Sequence, residues 1–219
     1  MTDAFAQIVG PIFQHVVEFT ESLRKGEHPA PEAVKRTLVR LLDDAEKRAS
    51  TSELLTRDFA LARFGIVYWI DEVLIHSPWR HAGGWKNIIL ELDYFGTRQA
   101  AQDFWVRVKQ AEGRAAGQGR PPRSSDPLEA YFLCVALGFR GELFLDEDEI
   151  RRWAERVYPL VLAGQAVVEE ANGGATPPGY WGVGALPGER LLVAVSVLLS
   201  ATALLTLFGF IAAVHNRGS

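Results

Sequence analysis

Apolar residues recur at steps of three and four from residue 4 to residue 24, where Phe5, Ile8, Ile12, Val16, Phe19 and Leu23 form one face of a predicted helix. GEHPAPE interrupts the pattern, and Pro31 suits the first turn of a second helix with Val34, Leu38, Leu41, Leu42 and Ala45 on its inner face. The outer face of that helix, Lys35, Arg36, Arg40, Asp43, Asp44, Glu46 and Lys47, reads as solvated. Ser50 and Glu53 have capping-box spacing for a third helix that runs to about His76, ahead of Pro78. It carries Leu54, Leu55, Phe59, Leu61, Ala62, Phe64, Val67, Trp69 and Ile70, is apolar nearly all round, and is therefore predicted to be central. Arg63 and Asp71 leave seven uncharged residues between them, too few to span a membrane.

Further along, GGWKNIILELDYFG predicts one short amphipathic piece and RQAAQDFWVRVKQAEG another helix. GRAAGQGRPPRSSD is a surface loop or subdomain boundary. Asp126, Pro127 and Glu129 supply cap, first-turn proline and capping-box acid for PLEAYFLCVALG, and Asp146 with Glu149 repeats that start for DEDEIRRWAERVYPLVLAGQ. Strand signals are nearly absent, so the expected fold is all-α. From Leu191 to Val214 come 24 residues without a charge. As a helix they measure about 36 Å, enough to cross about 30 Å of hydrocarbon. The expected organisation is a helical domain over 1–170, a Gly/Pro-rich linker over 171–190, a transmembrane helix over 191–214 and a short tail over 215–219. The N-terminus lacks the basic patch of a signal peptide, so residues 1 to about 185 are expected in the cytoplasm and the tail in the periplasm. Residues 1–182 are expected to fold alone.

A composition of 48% apolar residues, including six Trp, is enough for a substantial core. Twenty-three basic against 27 acidic residues give a net charge of −4 and no electrostatic footprint for nucleic acid. Cys134 stands alone in the apolar run YFLCVALGF, which suits a reducing compartment and a core position.

The candidate chemistry lies in YWIDEVLIHSPW, which places Asp71 and Glu72 inside an apolar helix. Adjacent helical residues point about 100° apart, a poor arrangement for an acid and base acting together. Glu72, His76 and His81 have spacing that admits a metal site, although no H-E-x-x-H pattern is present. Nucleotide loops, nucleophile elbows and C-x-x-C motifs are also absent from the sequence. Neither cofactor nor metal is therefore expected. The two carboxylates are expected to divide their duties, Glu72 satisfied inside the bundle and Asp71 displayed in a cleft toward a basic partner, with a helix N-terminus or an arginine, Arg80 or Arg140, as the internal partner.

LARFGIVYWIDEVLIHSPW, GWKNIILELDYFGTRQAAQDFWVRV, a Pro/Arg loop and DPLEAYFLCVALGFRGEL, in that order, resemble the DotU/IcmH proteins, called TssL in type VI secretion. The resemblance covers about residues 5–165 and the terminal anchor. Its most specific pieces are the Asp-Glu pair followed by Pro-Trp, and the block from Leu128 to Gly141. It implies a cytoplasmic bundle of about seven helices in two subdomains on one inner-membrane helix. It further implies a non-enzymatic scaffold that joins an IcmF/TssM-like protein to baseplate components, as a homodimer, with partner-binding residues Asp71, Glu72, Trp79 and Arg140. The alternatives are a membrane-tethered metal-dependent enzyme using Glu72, His76 and His81, a type IVB stabiliser of an IcmF-like partner, and a tail-anchored regulatory adaptor.

Overall fold

The computed structural model describes residues 1–117, 125–141 and 147–171, with side chains described as far as Leu162. Among them are eight helices and no strand: α1 (Asp3–Arg24), α2 (Pro31–Ala49), α3 (Glu53–His76), α4 (Ala82–Trp85), α5 (Leu90–Phe95), α6 (Ala100–Ala115), α7 (Asp126–Ala136) and α8 (Glu147–Ala171). The predicted anchor and linker, and Asp146, lie outside the described residues. No described helix is long and apolar enough to cross a membrane.

The helical periodicities hold at the residues that carry them. Phe5, Ile8, Ile12, Val16, Phe19 and Leu23 are all buried, as are Val34, Leu38, Leu42 and Ala45. Inside α1, Pro11 has no N–H for the Gln7 carbonyl. Arg48 from α2 donates to that oxygen at 3.3 Å, so the second helix compensates the defect in the first. α3 is the central element and packs against α1, α2, α4, α5, α6 and α7. Against α7 it comes very close. Gly65 faces Tyr131, and a Cβ built there lies 2.4 Å from Tyr131 Cε1. α8 closes the bundle over α6 and α7, with Trp153 against Trp105.

Four expectations are corrected by this arrangement. Ser50 does not cap α3. It ends α2, its hydroxyl donating to Lys47 O, and α3 starts after Ser52 while Glu53 pairs with Arg57. Asp126 does not cap α7 either, because the start of the chain occupies its carboxylate. Thr2 donates to it through its backbone N–H (2.8 Å) and hydroxyl (2.6 Å), and Glu129 pairs with the Met1 ammonium. The stretch around 83–96 is two short helices, α4 and α5, because tertiary bonds to Trp85, Leu90 and Glu91 break it. Finally, Met1–Gly174 is one compact unit, with eight helices among its described residues, where two subdomains and about seven helices were expected.

Candidate functional site

Asp71 and Glu72 diverge as their helical spacing requires, and each reaches a different neighbour. Asp71 is 4% exposed. Its carboxylate accepts from Trp85 Nε1 at 2.8 Å and from the backbone N–H groups of Leu90 (2.9 Å) and Glu91 (2.8 Å). Helix α5 has no side-chain cap of its own at Ile89. Asp71 therefore supplies from another helix the oxygen that a local cap ordinarily gives to the first free N–H groups. Buried Glu91 repeats the device one step on, its Oε1 accepting from the Thr97 hydroxyl at 2.8 Å and from the Gln99 N–H just before α6.

Glu72 is half-buried and holds the turn that leaves α7. Its carboxylate accepts from Arg140 N at 2.7 Å and from Gly141 N at 3.1 and 3.2 Å. The turn reverses through Gly138 (φ +111°) and Gly141 (φ +54°), conformations that L side chains rarely adopt. At Gly141 space is short as well, since a Cβ there lies 2.9 Å from the Phe139 ring and 3.0 Å from Ala101 O. Two indoles complete the clamp: Trp69 Nε1 donates to Leu137 O (3.3 Å) and Trp105 Nε1 to Arg140 O (3.1 Å). The block ending Gly-Phe-Arg-Gly is thus a backbone turn held from α3 and α6.

This geometry reverses the expected division of duties. Asp71 is the interior carboxylate and Glu72 the one nearer solvent. The shorter aspartate faces the α4–α5 segment lying directly over α3, and three N–H donors offset part of its loss of water. Among the described residues no guanidinium pairs with Glu72: Arg140 presents its backbone N–H, and turns its side chain onto Val135 O (2.8 Å) and Phe139 O (2.9 Å), capping the end of α7. The backbone N–H of Arg80 donates to His28 Nδ1. Trp79 is 3% exposed; its Nε1 donates to Pro29 O at 3.1 Å and its ring lies against Phe19 and Trp85. It pins the α1–α2 loop to the end of α3. Of the four assigned partner-binding residues, two are interior and only Glu72 and Arg140 border the surface.

The metal-site triad does not converge. His76 Nδ1 lies 2.9 Å from the Glu72 carbonyl oxygen, His81 packs on Trp79, and the Glu72 carboxylate is committed to the 140–141 amides. Among the described residues no three His, Cys, Asp or Glu side chains come together. Cys134 is fully buried, which pushes its thiol well up and suppresses the reactive thiolate.

Burial pushes the Asp71 carboxyl up from 3.8 to about 6, outweighing the three donors that favour its charged form. The folded state thus holds this proton to higher pH than the unfolded chain. Its contribution is present below pH 4 and is lost as the pH rises from about 4 to about 6. Wild type is therefore expected to lose stability over that interval, by up to about 3 kcal/mol, relative to Asp71→Asn, which has nothing to titrate there. Urea unfolding of both proteins at several pH values checks this, and parallel pH profiles would exclude Asp71 as the source.

The bundle with these tethered turns defines an all-helical domain. The fold is shared with the cytoplasmic domain of TssL from Acinetobacter baumannii, with a TM-score of 0.58 at 21% identity, over 72% of this chain and 96% of that one. The chain belongs to the DotU family of type VI secretion system proteins, whose family model matches residues 4–215. A search of curated proteins returns no match.

Proposed function

We propose that this protein is a non-enzymatic, tail-anchored scaffold of a type VI secretion membrane complex. Residues 1–170 face the cytoplasm, 191–214 cross the inner membrane and 215–219 emerge in the periplasm. An IcmF/TssM-like protein is its membrane partner, baseplate components dock on its helical domain, and the scaffold works as a homodimer. The observation that carries this reading is the family match itself, which runs from residue 4 through the 24-residue uncharged segment to residue 215. The family's type VI designation favours this reading over a type IVB stabiliser. The metal-enzyme alternative gains no support, because Glu72, His76 and His81 each serve a separate structural contact.

In this reading the turn at 138–141 is the docking element, Glu72 sets its shape, and Arg140 borders it. Asp71 and Trp79 act from beneath by fixing the segments around it. Glu72→Gln is the test, because an amide offers one acceptor oxygen where two N–H donors now converge. It is expected to cost about 1–2 kcal/mol, to speed hydrogen exchange at Arg140 and Gly141, and to weaken binding to purified baseplate components. Faster exchange with undiminished binding would remove docking from this turn. Protease added to spheroplasts tests the orientation, and digestion of the helical domain there would reverse it.

A further inference from the structure

Asp71 and Glu72 are neighbours in α3, and both lead to the same turn. Glu72 reaches it directly, its carboxylate accepting from the N–H groups of Arg140 and Gly141. Asp71 reaches it through the stretch 85–99, which it ties to α3 at Trp85 Nε1 and at the N–H groups of Leu90 and Glu91. Glu91 then carries the connection onward. It is 3% exposed, and its Oε1 accepts from the Thr97 hydroxyl (2.8 Å) and the Gln99 N–H. Gln99 is the residue from which α6 starts: its carbonyl accepts from Gln102 N (3.1 Å) and Asp103 N (2.9 Å), and its own side chain makes no cap. Arg98 closes the stretch on itself by donating to Lys86 O at 2.7 Å. Residues 85–99 are thus a strap between α3 and the first turn of α6.

Helix α6 in turn grips the segment that Glu72 holds. Phe104 stacks on Phe139, with centroids 3.8 Å apart and a 22° interplanar angle, and Trp105 Nε1 donates to Arg140 O at 3.1 Å. Arg140 is therefore fixed at both backbone polar atoms, its N–H by α3 and its C=O by α6. The contacts close a circuit that runs from α3 through Asp71, α5, Glu91, α6, Trp105, Arg140 and Glu72 back to α3. A hydrogen bond weakens steeply as its angle departs from linearity. Helix α6 therefore cannot move relative to α3 without giving up bonds of the strap or bonds of the turn.

We infer that the strap sets the shape of the 138–141 turn, with Glu91 as the positioning residue, so that seating of the strap and binding at the turn are coupled in both directions. The coupling stands on this hydrogen-bond circuit. Its bearing on assembly rests on the reading of that turn as the docking element.

Hydrogen exchange of the full chain in detergent reads both ends of the circuit. Glu91→Leu fills similar space without an acceptor. It is expected to speed exchange about tenfold at Gln99 and about three- to tenfold at Arg140 and Gly141, with Ile12 and Val16 in α1 unchanged. Glu91→Gln keeps an acceptor oxygen and is expected to stay within about twofold of wild type at all three amides. Trp105→Phe keeps a ring but cuts the circuit at its other end. It is expected to speed exchange at Arg140 and Gly141, and about threefold at Gln99 as well. In that background Glu91→Leu should add less than about twofold at Arg140 and Gly141. Acceleration by Glu91→Leu that is confined to Gln99, or spread equally through α1, overturns the inference, as does full additivity of the two substitutions. Unchanged Gln99 exchange in Trp105→Phe overturns it independently of how well Glu91→Leu folds. Binding of purified baseplate components separates the two readings. Faster exchange at Arg140 and Gly141 with undiminished binding leaves the strap in control of the turn and removes docking from it.

Discussion

Asp71→Ala is expected to lower the stability of the helical domain by about 3–5 kcal/mol, a drop in melting temperature on the order of 10 °C. The magnitude follows from what is left behind. Trp85 Nε1 and the N–H groups of Leu90 and Glu91 lose their common acceptor, and all three stand in a site where Asp71 itself is 4% exposed. Asp71→Asn retains the shape and one acceptor oxygen, so it should cost less, and least of all above about pH 6, where wild type carries the buried charge. Differential scanning calorimetry ranks the three proteins. Because Asp71 caps α5, hydrogen exchange should increase first at Leu90 and Glu91 and only weakly in α1. Uniform acceleration across the domain would show that Asp71 does not hold α5 in particular.

Gly65→Ala is expected to cost about 2 kcal/mol, opposite in sign to the usual result in a helix. Glycine to alanine in a helix interior ordinarily gains about 1 kcal/mol. Here the added methyl meets Tyr131 Cε1 at 2.4 Å and Cδ1 at 2.6 Å. The Tyr131 ring cannot swing away freely, since its hydroxyl donates to Leu61 O at 3.0 Å and it packs edge-on to Phe104 at 5.1 Å. Overpacking of this kind costs about 1–3 kcal/mol or more, so it outweighs the propensity gain. Tyr131→Leu removes the obstacle. In that background Gly65→Ala should become neutral or stabilising, and a double-mutant cycle from urea unfolding measures the change. If Gly65→Ala costs the same in both backgrounds, the close approach of α3 and α7 is not its cause.

Repetition made the helices legible. Each of Phe5, Ile8, Ile12, Val16, Phe19 and Leu23 reports the same face, and the all-round apolarity of α3 announced its central place. Cys134 was equally plain, a lone thiol in an apolar run that proves fully buried. Capping was not so legible. Ser50 with Glu53 and Asp126 with Glu129 have the right local spacing, yet the side-chain oxygens concerned find partners elsewhere. A cap is worth about 1 kcal/mol, small enough for a tertiary contact to override.

The carboxylate pair marks the boundary most sharply. The sequence by itself determined that Asp71 and Glu72 point in different directions, because consecutive helical residues are separated by about 100°. It also marked Gly138 to Gly141 as part of a specific block, though not as a backbone turn held from α3. Which carboxylate is interior was decided by the tertiary structure alone. That outcome depends on where α4, α5 and the 138–141 turn come to rest, and their N–H donors lie between 14 and 69 residues along the chain from the acids they satisfy. A hydrogen bond across such a separation leaves no periodicity in the sequence, since the donors are mostly backbone N–H groups that every residue except proline carries.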